Sequence, residues 1–243
     1  MIYIREFLKL FPQPGDALLP IFIAVIILLM ERFGLQNYFY IVASKQTFFQ
    51  GMKYNNLVFY AQAYYAASCV ALFLILPCLY HIVFRCESSC LEPLQVGRSK
   101  TYWPIYLGFM IIMLPIIWIA SRFPSFYQFY PMYKPQGWLD LIAYEGIYFI
   151  QLGTIEFFFR GFGLFHFETI YGKNAIFLMI IPYAFIHIHK PFAEALISII
   201  AGIALGYLAL LVRSIIPGMV MHSAVALLTD LFCLQRLGRF YAF

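Results

Sequence analysis

The sequence predicts an all-α fold, a polytopic bundle of transmembrane helices, and three observations carry that expectation. Hydrophobic residues make up 63% of the 243 and charged residues only 11%, where a soluble domain carries about 25% charged residues. Mean hydropathy is +0.82. The apolar residues also fall in runs, and a helix needs roughly 20 mostly apolar residues to cross a bilayer. Seven candidate spans stand out, at about 17–35, 57–83, 102–120, 138–159, 174–189, 192–212 and 215–234, in a range of six to eight.

Taken in order, the N-terminal "MIYIREFLKLFPQPGD" lacks the basic, apolar, small-residue order of a cleavable signal peptide. With Arg5, Glu6 and Lys9 among Ile, Phe and Leu it reads as a short interfacial helix. The first span has a short unbroken apolar core, "ALLPIFIAVIILLM", and Pro77, Pro104 and Pro115 interrupt the next two. Residues 1–137 thus form an N-terminal part of one interfacial helix and three spans, and 138–243 a four-helix core. Between them, "YQFYPMYKPQGW" (127–138) reads as an aromatic belt at headgroup level. The alternative is a roof over a cavity beneath it. The 19 Tyr and 27 Phe need no cofactor to explain them, because aromatic residues fill the interfaces and the interhelical space.

Charge excludes several function classes. The net +5 is spread over short loops, so no basic cluster points to nucleic acid, and anionic lipid headgroups are the natural counterpart. Lys and Arg divide evenly between the two faces, so the positive-inside rule gives no orientation. No internal repeat is visible. Cys69, Cys78 and Cys233 fall in spans, where a thiol acts as a small apolar group. Cys86 and Cys90, in "RCESSCLEP", could bridge or share a metal, but no second cysteine pair or loop histidine completes a zinc set.

The polar residues inside the spans carry the functional signal, because an ionised group at mid-membrane costs several kcal/mol and persists mostly where it pairs or works. Glu156 and Arg160 are four apart and share a helix face, so they can neutralise one another. "PYAFIHIHKP" carries His187 and His189. On a helix these point roughly 200° apart, so only one can face a given site. Phe185 and His189 would share a face. The expectation is therefore that His189 joins Glu156, and that His187 packs elsewhere. His222 lies one turn into the last span. Glu145 returns to nearly the face of Glu156 but about 16 Å away along the helix, so it lines the same cavity or pairs elsewhere. His81, His166 and Glu168 read as interfacial.

The order Glu-x-x-x-Arg, Phe-x-x-x-His, then His on the last core helix resembles the CAAX-protease and bacteriocin-processing family of intramembrane proteases. The matching stretches are "EFFFRGFGLFHFE" (156–168), "FIHIH" (185–189) and "GIALGYLALLVRSIIPGMVMH" (202–222), with Gly202 and Gly206 on the helix before the last motif. Two positions depart from the family pattern. Its first motif usually reads Glu-Glu-x-x-x-Arg with the first Glu as base, and Ile155 stands there. Its last motif carries Asn or Asp four residues after the His, where this chain has Ala226; Asp230 lies one turn further on.

The resemblance implies peptide hydrolysis by water held between a carboxylate and a histidine, with Glu156, Arg160, His189 and His222 as the site residues. His222 would donate to the oxyanion and Arg160 would orient the carboxylate. It implies no cofactor and leaves metal dependence open; no His-Glu-x-x-His run is present. The expected location is multi-pass in a membrane, the bacterial inner membrane, with lipids and a membrane-anchored or lipidated peptide as partners. Two alternatives stand beside the endopeptidase. One is a catalytically inactive relative that binds a membrane-protein partner, as an immunity or assembly factor would. The other is a small transporter with a polar midplane site, disfavoured because no matched pair of interrupted helices is evident.

Overall fold

The computed structural model describes residues 14–84, 92–95 and 99–239, and these are helical with no strand. Helix α1 (Pro14–Leu29) runs on through a widened π turn, Met30–Gly34, and bends into α2 (Gln36–Ala43). Helix α3 (Tyr54–Cys69) passes through a second π segment, Val70–Ile75, into α4 (Leu76–Phe84). Then come α5 (Ser99–Ala120) and the short α6 (Pro124–Tyr127). Helix α7 (Trp138–Glu156) continues through a third π segment, Phe157–Gly163, into α8 (Leu164–Tyr171). The chain closes with α9 (Ala175–Phe185), α10 (Phe192–Val212) and α11 (Ile216–Arg236).

Among the described residues four stretches are long and apolar enough to cross a membrane: Tyr54–Phe84, Lys100–Ala120, Phe192–Val212 and Ile216–Arg236. The α1–α2 pair, bent by 41°, makes a fifth if it counts as one span. That is fewer than the seven runs read from the sequence, for two physical reasons. Helix α9 has only 11 residues, about half of what a span needs. Helix α7 carries Asp140, Glu145 and Glu156 within its 19 residues. The outward faces are apolar nonetheless, with Trp103, Leu107, Ile111 and Ile119 of α5 exposed. Helices that satisfy their own backbone and turn such faces outward are suited to lipid; the chain is an integral membrane protein.

Helix α7 is the central element. Its first turns bury one stripe, Leu141, Tyr144, Glu145, Tyr148, Gln151 and Leu152, and from Thr154 to Leu164 every residue is buried. A helix buried all round must be enclosed by others, and here α3 and α11 flank α7 while α9 and α10 pack on its π segment. Phe158 stacks on Phe73 with ring centroids 4.7 Å apart, so two π segments meet. Gln62 of α3 donates to Gln151 of α7 at 2.8 Å and itself accepts from Gln36 of α2. Interhelical bonds of this kind hold helices together where lipid gives no hydrophobic drive. On the other flank a Cβ at Gly202 would come within 2.4 Å of Ile180 Cδ1, so glycine there lets α10 close on α9.

The segment 121–137 turns inward rather than forming a headgroup belt. Phe126, Tyr130 and Tyr133 are buried. Tyr130 hydroxyl donates to Glu194 at 2.7 Å, and Tyr133 hydroxyl donates to Asp140 at 2.6 Å. A buried phenol needs a partner for its hydroxyl, and these carboxylates supply it. The expected N-terminal interfacial helix with Arg5, Glu6 and Lys9, and the Cys86/Cys90 pair, lie outside the described residues.

Candidate active site

Glu156 closes α7 one residue before the π segment and is 1% exposed. A carboxylate so placed needs donors, and two converge on one oxygen. Arg160 Nη1 donates to Oε1 at 3.0 Å from one turn along the same chain. His222 Nδ1, arriving on α11, donates to the same Oε1 at 2.7 Å. Arg160 is itself buried and lies over the Tyr183 ring, its Cζ 3.7 Å from the centroid. Gly218 of α11 lies beside the other carboxylate oxygen, Oε2. The i, i+4 pair and His222 are thus brought together as their positions in sequence suggested.

The two histidines of "HIH" are placed the other way round from the expectation. Helix α9 ends at Phe185, and residues 186–190 form turns, so helical phase no longer decides where their side chains go. His187 is buried, and its Nδ1 donates to the Tyr183 carbonyl at 2.9 Å. A carbonyl only accepts, so the Nδ1 carries the hydrogen and Nε2 is left with its lone pair in the neutral ring. His187 lies within electrostatic reach of Glu156, His222 and Arg160. His189, in contrast, meets Glu31 Oε2 at 3.0 Å with its side chain 61% exposed, and does not approach Glu156. Pro191 is the signal that could have found this. The residue before a proline is pushed out of the helical region, which places a helix end close to "HIHK".

Ile155, at the position of the family's first Glu, is 4% exposed and packs in the main apolar core, where Ala226 also contributes from α11. Glu145 is buried near the other end of α7 and faces Asp230 rather than Glu156. Glu168 pairs with Arg213. His81 is buried, its ring 5.8 Å from that of His166. Arg160 also lines a small, mostly apolar cleft with Phe159, Ile176, Tyr183, Gly202 and Gly206. Among the described residues no three His, Cys, Asp or Glu side chains converge as a metal-ligand set.

Chemically, the arrangement is a carboxylate–imidazole dyad. Glu156 holds His222 through Nδ1, and the His222 side chain remains 20% exposed. A carboxylate in that relation holds the imidazole in one tautomer and stabilises the imidazolium formed when it takes up a proton. Residues 136–228 match the family described as type II CAAX prenyl endopeptidase Rce1-like. The matched segment runs from the start of α7 into α11 and contains Glu156, Arg160, His187, His189 and His222, but ends before Asp230. No curated protein and no solved structure matches the chain.

Proposed function

We propose that this chain, a member of the CAAX-protease and bacteriocin-processing family, hydrolyses a peptide bond in a membrane-anchored or lipidated peptide, with His222 as the base. The observation that carries the reading is the part-buried 2.7 Å bond from His222 Nδ1 to Glu156. Glu156 already accepts from Arg160, so it is poorly suited to take a proton from water. It is well suited to orient a histidine that does. With Ile155 in the first position of the motif, this is how the retained residues can supply a base.

In the proposed reaction His222 Nε2 removes a proton from water as the water oxygen bonds to the scissile carbonyl carbon. The imidazolium, held by Glu156, then returns that proton to the leaving nitrogen as the carbon–nitrogen bond breaks. The products are a carboxylic acid and an amine. His187 Nε2, with its lone pair free, accepts the second hydrogen of the water and positions it. Arg160 keeps Glu156 ionised and aimed at His222. His189 has no part in the step.

The test is direct. The protein, reconstituted in lipid nanodiscs, is incubated with peptides carrying a C-terminal prenyl-cysteine motif or an N-terminal acyl chain, in water enriched in oxygen-18. The expected result is a new C-terminus, seen by mass spectrometry, carrying one heavy oxygen. Intact peptide in both sets, from protein shown to be folded, would overturn the proposal.

A further inference from the structure

A second buried polar cluster lies at the opposite end of the α7–α11 contact. Glu156 and His222 meet at one level; eleven residues earlier on α7 and eight later on α11, Glu145 and Asp230 meet at another. Asp230 is 0% exposed and faces Glu145 and Tyr144 of α7. Yet Asp230 Oδ1 and Oδ2, Glu145 Oε1 and the Tyr144 hydroxyl have no well-formed hydrogen bond, and the groups they face are one another. The Tyr144 hydroxyl, also on a fully buried side chain, is a polar group of a different kind facing the same Asp230.

The hydrogen count decides what is missing. Four oxygens meet here with only the phenol hydrogen between them, and three of them belong to carboxyl groups. Two ionised carboxylates facing one another in a low-dielectric interior repel strongly, as in other carboxyl pairs that share a site. The surrounding charges do not cure this. Lys190 acts on Asp230 from the turn before α10, but its Nζ bonds Tyr130 hydroxyl, which is itself bonded to Glu194. Lys134, from the inward segment, also faces Asp230, while its Nζ bonds the Pro131 carbonyl. Tyr148 and Cys233 add no cation, and Arg239 acts on Lys134. Both ammonium groups are thus already engaged by other oxygens.

We infer that Glu145 and Asp230 form a proton-binding site: they hold one proton between them, and this hydrogen-bonded carboxyl pair clamps α7 to α11. One added hydrogen completes the set. A Glu145 hydroxyl donates to one Asp230 oxygen, and Tyr144 donates to the other. Because α7 carries Glu156 and α11 carries His222, the clamp also sets the register in which that dyad forms. The inference does not depend on hydrolysis, and it concerns a residue beyond the family-matched segment.

The test is thermal unfolding of the full chain in detergent across neutral to alkaline pH, at fixed ionic strength, with sodium replaced by choline in a parallel series. A group that keeps its proton in the folded state contributes stability at low pH that is lost as pH rises. The wild-type midpoint is therefore expected to fall on the alkaline side. Glu145→Gln supplies the missing hydrogen permanently, so its midpoint at neutral pH should match wild type and its alkaline fall should be smaller. Asp230→Ala should lose the clamp at every pH. Overturning results are a Glu145→Gln profile that parallels wild type, an equal loss in Glu145→Gln and Asp230→Ala at neutral pH, or a wild-type midpoint that follows sodium rather than pH. The last would assign the site to a metal cation.

Discussion

Removing the Arg160 charge should cost more than removing the whole ion pair. Arg160 and Glu156 side chains are 5% and 1% exposed and 3.0 Å apart. Replacing Arg160 with Met strands a carboxylate in a site of low dielectric, and breaking a buried pair from one side costs about 3–5 kcal/mol. The lost stack on Tyr183 adds up to about 2 kcal/mol where the cation is desolvated. The surviving bond from His222 offsets part of this, so the net expectation for Arg160→Met is about 3–5 kcal/mol. The double variant Glu156→Leu, Arg160→Met leaves no stranded charge and fills similar volume. Exchanges of that kind are often neutral or stabilising, and with the His222 bond also gone the loss should stay under about 2 kcal/mol. Both are measurable by denaturant titration in detergent micelles with helicity as the readout, extrapolated linearly. Equal losses for the single and double variants would refute the reasoning, because the stranded charge would then carry no penalty.

The two histidines of the turn should separate cleanly: His187→Ala should reduce hydrolysis by at least about tenfold, on the order of a lost water-positioning contact. His189→Ala should leave activity unchanged and cost about 0–1 kcal/mol of stability, as an exposed ion pair does; the converse pattern in a turnover assay would restore His189 to the site. Gln62→Leu, which leaves the buried Gln151 side-chain amide oxygen unpaired, should destabilise by about 1–3 kcal/mol in the same titration, and no loss would mean that the glutamine bonds between α2, α3 and α7 do not hold these helices together.

The parts of this molecule that were legible in the sequence follow local rules. The run at 192–212 and α10 coincide, and 215–234 and α11 agree within two residues at either end. An unbroken apolar run with polar ends leaves little choice there. The Glu156–Arg160 pair was legible because i, i+4 geometry survives even at the edge of a π segment. What was not legible depends on where helices stop and what packs across them. The rule that separated His187 from His189 assumed a helix, and the chain leaves the helix at Phe185. The three π segments have no marker in residue type. The inward turn of Tyr130 and Tyr133 depends on Glu194 and Asp140 being in reach, one of them 64 residues away. For Glu145 the sequence left open a place in the cavity of Glu156 or a partner elsewhere, and its meeting with Asp230 needs the antiparallel register of α7 and α11.

Turnover of a lipid-anchored peptide by wild type, Glu156→Gln and His222→Ala, each reconstituted at equal folded amount, tests the dyad most directly. His222→Ala removes the base and should abolish cleavage. Glu156→Gln keeps the shape and a hydrogen-bonding group but no longer stabilises the imidazolium, so its rate should fall by about 10²–10⁴-fold with substrate affinity largely retained. Cleavage by His222→Ala at the wild-type rate, or a Glu156→Gln variant as active as wild type, would contradict a histidine base oriented by Glu156.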